Sequence, residues 1–144
     1  MKRVFNISFA IIILITALTA GARAQSGSSQ RLIASVPFAF TAANKTLPAG
    51  KYTIAVLNSS SDRKALQIRS MNGRFSAIVF TNSVIGKVSD ESKLVFERYD
   101  DRYFFAQAQV AGDSTFLAAL RSNKEHKHLV ATAKKKSVVV IVAG

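Results

Sequence analysis

Two tight-turn signals, each lying between runs of alternating apolar and polar residues, constrain the fold of this chain more than any other feature. Asn72-Gly73 separates two such runs, and Asp100-Asp101 separates two more. Alternation with a period of two is typical of a β-strand with one buried face, and these dipeptides between two runs are typical of β-hairpins. The sequence therefore predicts a fold built on antiparallel hairpins.

The first hairpin can be given a register from its turn. Asn72 and Gly73 both accept the positive φ of a two-residue type I′ turn, which pairs Met71 with Arg74. The same register pairs Leu66 with Val79, Ile68 with Ala77 and Ser70 with Phe75. One face of the predicted hairpin is then apolar, so pattern and turn agree.

The second hairpin, Lys93 to Val110, admits two registers. A two-residue loop of Asp100 and Asp101 places Phe96 on the same face as Phe105 and Gln107. A three-residue loop that includes Arg102 pairs Tyr99 with Tyr103 and gathers one apolar face, made of Leu94, Phe96, Phe104, Ala106, Ala108 and Val110. The three-residue loop buries more apolar surface, so we expect that register.

The remaining patterns complete an all-β reading. The sequence predicts a strand over residues 32–40, interrupted at Pro37, and a turn at Leu47–Gly50. It also predicts a strand over residues 52–57 and a polar loop over residues 58–62. Residues 114–120 fit either a helical turn or a strand. A capping box at Ser122–Glu125 predicts a short helix near Asn123 to Ala133, and the apolar run Ser137–Val142 predicts a buried strand. We expect a single antiparallel β-barrel or β-sandwich of about seven or eight strands with one short helix.

The N-terminus has the pattern of a secretory signal peptide. Lys2 and Arg3 precede a short apolar run, and Ala22-Arg23-Ala24 provides small residues at both key positions of a cleavage site. An uncleaved anchor is the alternative, but the apolar stretch is barely long enough to span a bilayer and is interrupted by polar residues. We therefore expect a signal peptide over 1–24, a flexible leader over 25–31 and one β domain over 32–144, with no membrane span in the mature chain.

Export changes what the charge of the chain implies. Without Lys2, Arg3 and Arg23, 17 basic residues face 8 acidic ones. A basic exported protein, periplasmic or secreted, meets anionic envelope surfaces such as lipid headgroups or acidic polysaccharide, so nucleic acid is not an expected partner. The chain has no Cys, which excludes disulfides, cysteine metal sites and lipid attachment through cysteine.

Three sequence blocks carry a resemblance to a known group. They are Val36-Pro37-Phe38-Ala39-Phe40, the stretch from Lys45 to Thr53 (KTLPAGKYT) and the stretch from Lys93 to Phe105 (KLVFERYDDRYFF). Together they resemble a group of small exported proteins of Acidobacteria, in which position 100 is usually Gly and position 109 usually Trp. The resemblance implies export and a bacterial envelope setting, and it implies no activity or ligand.

Catalytic and metal-binding signals are weak. His126-Lys127-His128 has ligand spacing on a strand, but on the predicted helix the two imidazoles point about 200° apart, so we expect no metal site. Asp90-Glu91 and Asp100-Asp101 are typical turn formers rather than carboxylates facing each other across a substrate. No nucleophile or phosphate-binding motif occurs. We expect no catalytic residues, no metal and no cofactor.

One face of the second hairpin is the candidate binding surface. Tyr99, Tyr103 and Phe105 lie on it in the expected register, flanked by Arg98 and Arg102. Such rings and guanidinium groups can stack on sugars or hold anionic and aromatic ligands. The alternative, which small β domains favour, is that the helix or the opposite sheet covers this face and buries the rings. The leading hypothesis is a non-enzymatic exported protein that binds a ligand or envelope component. A self-associating structural or adhesive module is the alternative, and a hydrolase or metal enzyme is the third.

Overall fold

Ten strands form one sheet in the computed structural model, which describes residues 31–58, 63–121, 127, 130–132 and 136–144. The strands are β1 (Arg31–Val36), β2 (Phe40–Ala42), β3 (Lys45–Leu47), β4 (Gly50–Val56), β5 (Arg63–Ser70), β6 (Ser76–Ile85), β7 (Ser92–Tyr99), β8 (Arg102–Gln109), β9 (Thr115–Ala119) and β10 (Lys136–Ala143). The all-β class is therefore confirmed. The expected count of seven or eight strands was too low because the short strands β2 and β3 carry too few residues to alternate visibly.

The strands follow the order β1-β4-β5-β6-β9-β8, after which β8 also pairs with β7, and β7 with β10. One edge of β8 is shared, since β9 pairs with its residues 107–109 and β2 with its residues 103–104. The β2–β8 pair is parallel, which corrects the expectation of a purely antiparallel sheet. Ile33 and Gly144 exchange two backbone hydrogen bonds of 3.1 and 3.0 Å, which bring β1 beside the end of β10.

A single large apolar cluster lies on one side of this sheet. Buried residues alternate with exposed or half-buried ones along β1 and along stretches of β4, β5 and β6, and they include Tyr52, Leu66 and Ala77. Phe40 and Leu47 from β2 and β3 join the same cluster, as do Leu94 and Phe96 from β7. The period-two pattern of the sequence thus marks the core-facing side chains.

The β5–β6 hairpin has the predicted register but not the predicted turn. Leu66 pairs with Val79 and Ile68 with Ala77, as expected. Of the two loop residues, however, only Gly73 has a positive φ, of 73°. The Ser70 amide donates to the Phe75 carbonyl at 2.9 Å, so residues 71–74 form a four-residue loop that preserves the register.

The β7–β8 hairpin contains both registers considered from the sequence. Next to the turn, Tyr99 pairs with Arg102 and Phe96 with Phe105, which is the two-residue-loop register. Beyond a β-bulge between Val95 and Phe96, Leu94 pairs with Ala108, which is the three-residue-loop register. The expected Tyr99–Tyr103 pairing is therefore wrong, because one extra residue of β8 is inserted partway along the ladder.

Two other sequence-based expectations are resolved, and the rest lie largely outside the described residues. Residues 115–119 form strand β9. β10 is not fully buried, because Val138, Val140 and Val142 are 52–60% exposed. Residues 127 and 130–132 are helical, and the remainder of the helix expected over 123–133 is outside the described residues. The signal peptide expected over 1–24, residues 25–30 and residues 59–62 are also outside them. No helix in the described part of the chain is long and apolar enough to cross a membrane.

Candidate binding site

The structure divides the five predicted binding residues between the two faces of the sheet. In the register next to the turn, Arg98, Tyr103 and Phe105 lie on the core-facing side, while Tyr99 and Arg102 lie on the opposite side. Tyr99 is 1% exposed and Phe105 3% exposed. The five residues therefore do not form one exposed surface.

On the core-facing side, Tyr103 is engaged within the chain. Phe38 stacks on its ring with centroids 3.9 Å apart, and the Arg98 Cζ lies 5.4 Å from the ring centroid. Arg98 is itself held at the turn, where its Nε donates to the Asp100 carbonyl at 2.6 Å. The Tyr103 ring is therefore engaged by both Phe38 and Arg98 of the same chain.

On the opposite side, Tyr99 belongs to a charged cluster centred on Glu97. One carboxylate oxygen of Glu97 accepts hydrogen bonds from Arg121 at 2.6 Å and from the Tyr99 hydroxyl at 2.8 Å, and the other lies 3.5 Å from Lys136 Nζ. Burial alone would raise the pKa of Glu97, but these hydrogen bonds and the charges of Arg121 and Lys136 outweigh it and lower that pKa. Arg121 follows β9 and Lys136 begins β10, so the cluster ties both of these strands to β7.

A cleft of about 790 Å³ lies where β9 ends. β9 is inserted between β6 and β8, and its last pairs are Ala118 with Gln107 and Ala119 with Thr81. The Leu120 amide still donates to the Phe80 carbonyl at 2.8 Å. Past this point β2 pairs with the edge of β8 that β9 leaves, and the cleft lies between the end of β9 and the β2–β3 turn.

The lining of the cleft is mainly apolar. Val79 and Phe105 are buried members of the main core, and Phe104 is 6% exposed. Phe80 and Ile78, in contrast, are 63% and 47% exposed. The cleft thus joins the core to an exposed apolar surface on β6, as is usual for sites that take apolar ligands.

Polar side chains from separate segments complete the lining. They are Thr41, Asn44, Asn58, Arg63 and Arg121. Asn44 lies in the β2–β3 turn with a φ of 62°, and Asn58 bridges the ends of β4 and β5, accepting from the Ala65 amide at 2.6 Å. Two arginines beside an apolar lining suit a ligand with an apolar body and an anionic or hydrogen-bond-accepting group.

Sequence reasoning identified only Phe105 among the cleft residues. The others come from six segments that the pairing order brings together, and one sequence supplies no direct signal for that order. One local sign was available, since Ile78-Val79-Phe80 breaks the alternation of β6 with apolar residues at outward positions. Apolar residues that form a contiguous patch at outward positions are a sign of a binding surface, whereas single ones are not.

The structure gives no support to a metal site in the part it describes. Among the described residues, no group of three or more His, Asp or Glu side chains is placed to hold an ion. His126 and His128 lie outside the described residues. Asp100, one of the paired carboxylates, has a φ of 53°, as expected of a turn former.

A scan against protein-family models, a search of curated proteins and a search of solved structures each return no match to this chain. The resemblance to small exported proteins of Acidobacteria therefore stays a prediction. What the chain binds has to be argued from its own residues.

Proposed function

We propose that this chain is an exported, non-enzymatic protein that binds an amphipathic small molecule in the cleft at the end of β9. The observation that carries this proposal is the apolar cleft itself, whose volume of about 790 Å³ suits a small molecule. The apolar body of the ligand would contact Val79, Phe80 and Phe105. Its anionic or hydrogen-bond-accepting group would lie near Arg63 and Arg121.

The proposal includes a barrel as the architecture that creates the cleft. The hydrogen bonds between Ile33 and Gly144 support it, because they bring the first and last strands together. The single core on one side of the sheet supports it as well, since a barrel encloses one core. In such a barrel, the early end of β9 leaves an opening in the wall.

Export is proposed from the N-terminal pattern. A charged start, a short apolar run and Ala22-Arg23-Ala24 support cleavage after Ala24 and a periplasmic or secreted mature chain. Mass spectrometry of the exported protein should find an N-terminus at Gln25. An intact Met1 in a membrane fraction would contradict export and release.

Ligand binding can be tested with anilinonaphthalene sulfonate, a fluorescent probe with an aromatic body and one sulfonate. We expect saturable one-to-one binding that weakens about tenfold in Phe80→Ala, because about two-thirds of that ring is exposed at the cleft. Phe75→Ala is the matched control, since Phe75 is 41% exposed on the same hairpin and does not line the cleft. Equal losses in the two variants, or no saturable binding, would refute the cleft as a ligand site.

A second candidate function, self-association, is favoured by β10. Val138, Val140 and Val142 are half-exposed or more. In the described residues β7 pairs along one edge of β10, and on the other edge β1 is bonded only at the end, through Ile33 and Gly144. An unpaired edge with exposed β-branched residues is a template for antiparallel pairing with a second copy. Sedimentation velocity should then show a concentration-dependent dimer that Val140→Lys abolishes, whereas a monomer at all concentrations would exclude this function.

A further inference from the structure

The charges of this chain are segregated along the sequence. Residues 31–88 contain eight basic residues (Arg31, Lys45, Lys51, Arg63, Lys64, Arg69, Arg74 and Lys87) and one acidic residue, Asp62. Residues 89–121 contain four basic and six acidic residues. The strands β1 to β6 all belong to the first segment, so their part of the sheet is strongly positive.

Three of these basic residues lie on one outward face. The even-numbered residues of β1, β4 and β5 face the core and most of them are buried, whereas Arg31, Lys51 and Arg69 are exposed on the other side. The strand pairing brings these three residues close together. Arg31 lies opposite Ala55 and Arg69 lies opposite Thr53, and Lys51, Thr53 and Ala55 follow one another at intervals of two residues along the outward side of β4. Among the described residues of this half, 31–58 and 63–88, no carboxylate side chain is present to neutralise them.

The same outward face is also apolar. Leu57 and Phe80 are 52% and 63% exposed, and both adjoin Ala65, because the Leu57 amide donates to the Ala65 carbonyl and Ala65 pairs with Phe80. Ile78 is 47% exposed one step along β6, and Ile33 is 39% exposed on β1. Exposed leucine, isoleucine and phenylalanine beside unneutralised arginine and lysine form an amphipathic surface.

We propose that the outward face of β1, β4, β5 and β6 docks on a lipid bilayer rich in anionic headgroups. The basic side chains would contact the headgroups, and Leu57, Ile78 and Phe80 would enter the boundary with the acyl chains. Charge complementarity selects an anionic partner. The exposed apolar side chains select a bilayer over an acidic polysaccharide, which offers charge but no apolar layer.

The docking face shares Ile78 and Phe80 with the lining of the cleft, but its other residues are separate from it. Arg31, Lys51, Arg69 and Leu57 do not line the cleft, so they can be changed without altering it. The two proposals can therefore fail separately. Loss of probe binding with retained vesicle binding refutes the ligand site alone, and the reverse result refutes docking alone.

The test is sedimentation of the chain with vesicles of phosphatidylcholine, or of equal parts phosphatidylcholine and phosphatidylglycerol. We expect binding to the anionic vesicles alone, weakening with salt. The double variant Arg31→Gln/Arg69→Gln should bind about thirtyfold more weakly, because each basic group near such a surface contributes about 1 kcal/mol and 1.4 kcal/mol is tenfold. Leu57→Ser should weaken binding about fivefold, since roughly half of that side chain is exposed.

The matched control is Lys93→Gln/Lys127→Gln, which removes two positive charges from outside the face. Thermal unfolding of every variant establishes that it folds, and the changed residues are exposed or half-buried. Equal binding to neutral vesicles, or an equal loss in the control, would overturn the proposal. Equally tight binding to soluble alginate that Leu57→Ser leaves unchanged would also overturn it, in favour of a polysaccharide.

Discussion

Replacing Glu97 by Gln tests whether the charged cluster on β7 stabilises the fold. The change keeps the side-chain volume and removes the charge that faces Arg121 at 2.6 Å and Lys136 at 3.5 Å. The Glu97 side chain is 24% exposed and that of Arg121 15%. This places the pair between exposed ion pairs, worth about 0–1 kcal/mol, and buried ones, whose breakage costs about 3–5 kcal/mol.

We expect Glu97→Gln to lower the free energy of unfolding by about 2 kcal/mol at neutral pH. This corresponds to a fall in Tm of roughly 8 °C for a domain of this size. Urea unfolding of the wild-type and variant chains, followed by circular dichroism, measures the difference. Glu91→Gln is the control, because Glu91 is an exposed carboxylate that, like Glu97, precedes the Asp100-Asp101 turn in the sequence. We expect this variant to change the free energy of unfolding by no more than about 0.5 kcal/mol.

The pH dependence separates the charge of Glu97 from its packing. Because the pKa of Glu97 is lowered in the fold, its charge stabilises the protein above the ordinary value of 4.5, and this stabilisation is lost as the pH falls through the lowered pKa. The difference between wild type and Glu97→Gln should therefore shrink in acid. A difference that stays constant in acid, or an equal effect of Glu91→Gln, would refute the reasoning.

Three further predictions concern single contacts. Tyr52→Phe removes the 2.6 Å hydrogen bond to the Pro48 carbonyl and should cost about 1 kcal/mol in urea unfolding. Because burial raises the pKa of Tyr52 above 10.0, the wild type should also lose stability as the pH rises above that value, and the variant should lack this loss. Asp100→Gly should raise the free energy of unfolding by about 0.5 kcal/mol, since glycine adopts the φ of 53° without strain, and a lower value would contradict this. Gly86→Ala should cost about 1–2 kcal/mol, because the new Cβ would lie 2.8 Å from Phe116 Cε1. In a double-mutant cycle, Phe116→Leu should reduce that cost, and strict additivity would contradict the clash.

The sequence was sufficient to predict the β5–β6 register because four alternating apolar residues pair with one another on its core-facing side. Leu66, Ile68, Ala77 and Val79 alternate with exposed or half-buried residues, so a slip by one residue would expose all four. The turn type was not predictable to the same degree. A four-residue loop between Ser70 and Phe75 preserves the same pairs as the expected two-residue loop.

The cleft was not predictable because its walls come from distant segments. Thr41, Arg63, Phe80 and Arg121 are brought together by the order β6-β9-β8-β2, which includes a parallel pair with only two pairings in its register. A pairing that short leaves no periodic pattern in the sequence. The candidate surface on the β7–β8 hairpin was misplaced for a local reason, the bulge.

The position of that bulge follows from one residue, Gln107. With the two-residue loop and no bulge, Phe96 would pair with Phe105 and Leu94 with Gln107, so an amide would face the core opposite Leu94. Burying an amide side chain without a hydrogen-bond partner costs about 1–3 kcal/mol, whereas a bulge leaves a single residue of one strand without a partner in the sheet. Inserting Ala106 as an extra residue turns Gln107 to the opposite side and places Ala108, 5% exposed, opposite Leu94. The two-residue register keeps Phe105, 3% exposed, in the core, and the three-residue register keeps Gln107 out of it, so the switch between them falls between these two residues.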